Sequence, residues 1–159
     1  MPGLYYHNIF LKYLFSFLED IHEDILFVEF TNFDFLNLVL PDKNKLFLNT
    51  QFKNITDITF LPYNKFLLIS FLKEKKFFNC IFVEYLYLND FFEINDHLFL
   101  LNNLLKKNGL FIINVYQLKI NYHIKKIKNL FITNDTYKII EKNNFYIIFK
   151  KLRNTNIII

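Results

Sequence analysis

The sequence predicts a three-layer α/β sandwich on a mostly parallel sheet with an antiparallel edge strand, and three observations carry that prediction. Short runs that are apolar at every position alternate with segments whose apolar residues recur at three- and four-residue spacing, the pattern of buried strands separated by amphipathic helices. The chain has 159 residues, the length of one domain. Hydrophobic residues make up 53% of it and aromatic residues 20%, enough to offset the entropy of ordering a backbone and to exclude a disordered or linker protein. Residues 1–153 are read as that single domain, and the apolar tail 154–159 is left without assigned structure.

In chain order, Phe10, Tyr13, Leu14, Phe17, Leu18 and Ile21 form the stripe of an opening amphipathic helix, which ends in the acidic cluster Glu19, Asp20, Glu23 and Asp24. The run from Ile25 to Phe30 is the first strand. Residues 33–40 read as a short helix closed by Pro41. Strands follow at Lys45–Asn49 and at 57–61, each before a polar or proline-containing turn. A helix is predicted over 67–75 and a strand over Phe78–Tyr85. From Asp90 to Lys107 the residues Phe91, Ile94, Leu98, Leu101 and Leu105 keep helical spacing, with Lys106 and Lys107 at the negative end of the dipole and Gly109 as a left-handed stop. Leu110–Tyr116 is a further buried strand, a basic helical stretch is expected at 117–126, and the runs 130–133 and 145–149 read as the edge strands. No internal repeat is present.

Phe, Ile, Asn, Lys and Tyr are abundant and Ala is absent, a bias that follows from AT-rich codons, as in a reduced-genome bacterium or an AT-rich eukaryote. Gly, Ala, Arg and Pro positions of any ancestral motif are then the ones most open to replacement. The longest uncharged stretches, 1–11 and 108–118, fall short of the roughly 18 apolar residues of a spanning helix, so no membrane partner and a cytoplasmic location are expected. The single cysteine, Cys80, sits inside an apolar run and reads as a buried core thiol. His7, His22, His97 and His123 are scattered, with no metal-ligand spacing.

Charge is uneven. Residues 1–80 carry a net −1 and residues 81–159 a net +5. Lys119, Lys125, Lys126, Lys128, Lys138, Lys142, Lys150, Lys151 and Arg153 form a solvated surface or an RNA-contact face. With a single arginine, such a face suits phosphate attraction rather than base reading.

The stretch from Phe77 to Val115, with Glu84 ending a buried strand and Lys107-Asn108-Gly109 before the next, resembles the second half of class I S-adenosylmethionine-dependent methyltransferases. It looks most like their spermidine synthase-like, polyamine aminopropyltransferase branch. Residues 57–72 are similar to that family's third strand, adenine loop and helix, with Asn64 where an Asp is usual, and Tyr6-His7 is similar to its gateway strand. The resemblance spans about residues 5–150. It implies a Rossmann-like fold that takes S-adenosylmethionine or decarboxylated S-adenosylmethionine, and transfer of a methyl or aminopropyl group to a small-molecule amine. The cofactor-binding positions it marks are Glu29, Thr31, Asn32, Asn49, Asn64 and Tyr85, with Glu84 as the catalytic base. The chain departs from the family where Thr31, Phe33 and Phe35 replace glycines of the first loop, where Asn49 replaces a ribose-binding carboxylate, and in the shortness of segment 50–56.

Read from the residues alone, Glu84 and Glu29 are carboxylates at the carboxyl ends of buried strands, where open α/β sheets bind ligands. Each is either a proton acceptor or cation partner there, or a solvent-facing acid that caps a loop. His7 reads as a hydrogen-bonded helix residue, and Tyr85 and Tyr87 as packing. Two functions follow: a transferase working at the tips of the first and fourth strands, or a non-catalytic protein- or RNA-binding module whose crevice is filled by Phe30, Phe33 and Phe35. A protein partner or a homodimer is compatible with both.

Overall fold

Among the described residues, seven strands form one sheet in the order β3-β2-β1-β4-β5-β7-β6. They are β1 (Ile25–Val28), β2 (Lys45–Asn49), β3 (Phe60–Pro62), β4 (Phe78–Val83), β5 (Leu105–Asn114), β6 (Tyr137–Lys142) and β7 (Tyr146–Lys151). The computed structural model describes residues 24–28, 45–49, 60–62, 64–83, 99–114, 136–142 and 146–153, with the backbone alone at 49, 60 and 114. β1 to β5 pair in parallel. β7 runs antiparallel between β5 and β6, so the antiparallel pairing expected at the edge is there. The opening helix and the predicted elements at 33–40, 117–126 and 130–133 lie outside the described residues.

The central strands exist because their residues are apolar on both faces. Every side chain of β1 is fully buried, and β4 is buried at all positions but Asn79. On one face a row of rings crosses the sheet. Phe27 stacks on Phe47 of β2 at 5.0 Å and lies 5.8 Å from Phe82 of β4, which is 5.2 Å from Tyr146 of β7. The register sets the first two contacts directly, since Phe27 pairs with both Phe47 and Phe82, and such ring pairs add about 0.5–1.5 kcal/mol beyond burial. On the other face Leu26, Val28, Ile81, Val83, Phe111, Ile113 and Phe149 meet the helices. Both faces are therefore covered.

Helix α1 (Lys65–Lys73) presents Leu68 and Phe71 to that core. It starts two residues before the predicted helix and stops two residues sooner. Asn64 caps its start, with Oδ1 accepting from the Leu67 N–H at 2.9 Å. Its end is a Schellman motif. Lys76 N–H bonds Phe71 O at 2.9 Å and Lys75 N–H bonds Leu72 O at 3.2 Å, with Lys75 in the left-handed region at φ 55. Glycine is the usual residue there, and this chain accepts lysine instead.

The largest departure from expectation lies at 104–109. Residues 99–104 are helical, but β5 begins at Leu105, so Lys106 and Lys107 belong to a strand and not to a helical last turn. The irregularity in the β4–β5 register falls here. The left-handed residue is Asn108, at φ 67, and no described glycine has positive φ. Gly109 is needed for room. A Cβ on it would lie 2.7 Å from Leu105 Cδ1 and 2.8 Å from the backbone oxygens of both Asn79 and Lys106.

The helix does without a glycine stop because a side chain takes one carbonyl from its last turn and one from the first residue of β5. Lys151 Nζ, from β7, donates to Asn102 O at 2.6 Å and to Leu105 O at 2.7 Å. β3 occupies 60–62 where 57–61 was predicted, and carries Pro62 on an edge strand, where a missing N–H is tolerated. β6 was not foreseen. Among the described residues it pairs with β7 alone, and Lys138, Glu141 and Lys142 interrupt its apolar pattern.

Candidate functional site

The parallel strands all end at one rim, formed by Val28, Asn49, Pro62, Val83 and Asn114. Chain order reverses between β1 and β4, because β2 and β3 lie to one side of β1 while β4 and β5 lie to the other. This is the switch point at which open α/β sheets form a ligand crevice. Val28 and Val83, the last residues of the two strands there, are register partners, and both are buried. The next residues in sequence are Glu29 and Glu84.

Of the residues marked from the sequence, Glu29, Thr31, Asn32, Glu84 and Tyr85 lie outside the described residues, as do Tyr6, His7, Phe30, Phe33 and Phe35. Asn49 ends β2 in register with Pro62. Asn64 follows Pro62 by two residues and opens α1, so the structure gathers Asn49 and Asn64 at the tips of neighbouring strands. Asn64 is exposed, and its Oδ1 is engaged by the helix cap.

Sequence reasoning passed over Phe66. This ring is 82% exposed on the first turn of α1, off the Leu68–Phe71 stripe and two residues after Asn64. In so aromatic a chain an isolated Phe carries no signal, and its position off the stripe was the one feature that set it apart.

A second polar centre lies at the opposite, amino end of the sheet. Tyr137 Oη donates to Asn102 Oδ1, and Lys151 holds the two carbonyls already described. All three residues are buried. Burial pushes the Tyr137 phenol up and lowers the Lys151 amine from its ordinary 10.5 to about 8. These hydrogen bonds tie β6 and β7 to the 99–104 helix and to the start of β5. Cys80 is free and wholly buried in β4, and desolvation pushes its thiol up. It is a core residue, as the sequence indicated. Among the described residues no helix is long and apolar enough to cross a membrane.

No protein-family model and no curated protein matches the chain. Solved structures do match it. The MycE methyltransferase of the mycinamycin biosynthetic pathway, in complex with Mg and SAH, superposes with a TM-score of 0.66 at 12% identity, covering 91% of this chain and 49% of that one. The N-methyltransferase NodS from Bradyrhizobium japonicum WM9 gives a TM-score of 0.66 at 11% identity, covering 96% of this chain and 98% of that one. NodS in complex with S-adenosyl-L-homocysteine gives 0.61 at 11% identity, over 89% and 84%. The chain thus spans about half the length of MycE and nearly all of NodS. The fold is the Rossmann-like fold of S-adenosylmethionine-dependent methyltransferases.

Proposed function

We propose that this chain binds S-adenosylmethionine, or its decarboxylated relative, at the carboxyl-end rim and transfers a methyl or aminopropyl group from it to a small-molecule amine. The observation that carries the reading is the reversal of strand order at the paired ends Val28 and Val83, each followed at once by a carboxylate residue. Likeness in fold to NodS and MycE supports it, and the spermidine synthase-like pattern around Glu84 supports an amine as acceptor.

The donor set suits the group. When bound, the cofactor supplies a carbon made electrophilic by the adjoining sulfonium. Glu29, which follows β1 in sequence, would supply negative charge to that cation. Thr31, Asn32, Asn49 and Tyr85 would provide neutral hydrogen-bonding groups and one ring for the nucleoside. Asn64, with Oδ1 engaged by its helix cap, offers NH₂ donors where a carboxylate would have offered only acceptors. Glu84, the first residue after β4, would accept the proton that the acceptor amine sheds on alkylation. Phe66 supplies exposed apolar surface beside the rim.

A second reading follows from Thr31, Phe33 and Phe35, which stand where the resembled family has glycines. Side chains there occupy the space of a close backbone approach, and the chain is then a non-catalytic protein- or RNA-binding module.

Thermal shift and calorimetry with S-adenosylmethionine, decarboxylated S-adenosylmethionine and their thioether products separate the two. Ligand at about 100 times Kd adds about 2.7 kcal/mol, a rise of roughly 5–10 °C for a domain of this size. Glu29→Gln should lose the shift and Glu84→Gln keep it. Absence of heat and shift with all four ligands removes the transferase reading and leaves the second.

A further inference from the structure

Strand connectivity brings cations from four segments to the amino end of the sheet. Lys75 and Lys76 precede β4, Lys107 lies near the start of β5, Lys138 near the start of β6, and Lys150 and Arg153 at and just beyond the end of antiparallel β7. All are exposed except Lys150, which is partly so. Lys138 and Lys150 are direct cross-strand partners, a like-charge pair that works against the sheet. Lys107 and Arg153 each lie three residues beyond the register pair Leu110 and Lys150. Asp24 and Glu74 are the acids among the described residues at this end. Phe77, 38% exposed, sits beside Lys75 and Lys76, and Lys76 Nζ is held 5.2 Å above the Phe71 ring.

We infer that this amino-end ledge, from β4 across to β6, docks the phosphate backbone of single-stranded RNA. The inference stands apart from the proposed transferase site, which lies at the other end of the strands, about 20 Å away along the six residues of β4. Four strands spaced at about 4.8 Å give a ledge of roughly 14 Å, room for a few consecutive phosphates. Lysines are flexible point charges that hold phosphates without reading bases, and a half-exposed ring among them is a stacking platform for a base. A membrane surface fits less well. Anchoring there needs buried apolar area, and among the described residues the exposed large apolar side chains at this end are Phe77 and Leu152, each 38% exposed.

The test is fluorescence anisotropy of the full chain with a labelled 12-nucleotide oligouridylate over a salt series, beside a vesicle-binding assay with phosphatidylserine liposomes. About four phosphate contacts predict a log–log salt slope near −3 for a single strand. The double variants Lys75→Gln/Lys76→Gln and Lys138→Gln/Lys150→Gln should each make the slope about 1.4 units shallower and weaken binding roughly 25-fold at 0.1 M salt. The charge-keeping Lys→Arg doubles should bind as the parent does. Lys142→Gln, at the other end of β6, should leave binding unchanged. Absent or salt-independent binding overturns the inference, as does an equal loss from Lys142→Gln, or binding to the liposomes alone. Heats with S-adenosylmethionine should be the same in all variants, so failure here is distinct from failure of the transferase reading.

Discussion

Replacing Gly109 by Ala tests why a glycine stands at the start of β5. Its φ is not positive, so alanine meets no conformational penalty there, and the whole effect is steric. Of the three atoms within 2.8 Å of the added Cβ, Leu105 Cδ1 can rotate away, but Asn79 O and Lys106 O are backbone. One belongs to the neighbouring strand and the other to the irregular start of β5, so relief requires moving β5 against β4. Overpacking of this kind costs about 1–3 kcal/mol. The lower entropy of the unfolded chain returns about 0.4–1 kcal/mol, leaving a net loss of about 1–2 kcal/mol. In urea unfolding followed by far-UV circular dichroism, this lowers the midpoint by about 0.5–1 M, and a melt falls by about 2–8 °C. Asn108→Gly, at φ 67, should hold or raise stability, whereas Asn108→Ala should lose about 1 kcal/mol. A Gly109→Ala chain within about 0.5 kcal/mol of the parent would refute the close-approach account.

Four further outcomes are expected. Lys75→Gly should stabilise the fold by about 1 kcal/mol, because glycine takes the left-handed position of the Schellman motif without Cβ strain, and a denaturant midpoint that falls instead contradicts it. Asn64→Ala should lose about 1 kcal/mol with the cap, and should also weaken cofactor binding measured by calorimetry. With the Lys151 amine lowered to about 8 by burial, the unfolded chain holds that proton more tightly than the folded one up to its ordinary 10.5. Protonation then favours unfolding, so stability should rise as pH climbs from about 8 towards 10. Tyr137, pushed up by burial from 10.0, opposes this above about pH 10, where the unfolded phenol ionises first. Lys151→Met should flatten a Tm–pH profile in that window, and a parent profile that falls there would be the wrong sign. Cys80 should resist a thiol reagent in the native chain and react with one equivalent in denaturant. Fast native labelling would place it outside the core.

Much of the architecture was legible from residue type because burial leaves a local trace. Ile25 to Val28 and Phe78 to Val83 are apolar on nearly every position, and only a strand covered on both faces asks for that. β2 was read to the residue for a similar reason, and Cys80 was placed in the core by the run around it. Asn64 showed the limit of a motif reading. Resemblance marked it for a nucleoside, while its cap was in plain view as a polar residue before an apolar stripe. Chain position alone set Glu29 and Glu84 at strand ends. That those two ends are neighbours across a reversal of strand order emerged only from the pairing of Val28 with Val83.

Features that depend on partners far along the chain stayed hidden. Lys106 and Lys107 read as a helical last turn because nothing nearby reveals that Lys151, 49 residues after Asn102, supplies the terminating donor. Gly109 looked like a left-handed stop because the Asn79 carbonyl that crowds it comes from another strand. β6 is held on one side by β7 and so needs no continuous apolar run, and the cationic ledge unites lysines from four separate segments. Periodicity and composition report how each residue meets water. Which strands lie side by side, and therefore which charges and carbonyls meet, is settled by packing over the whole sheet.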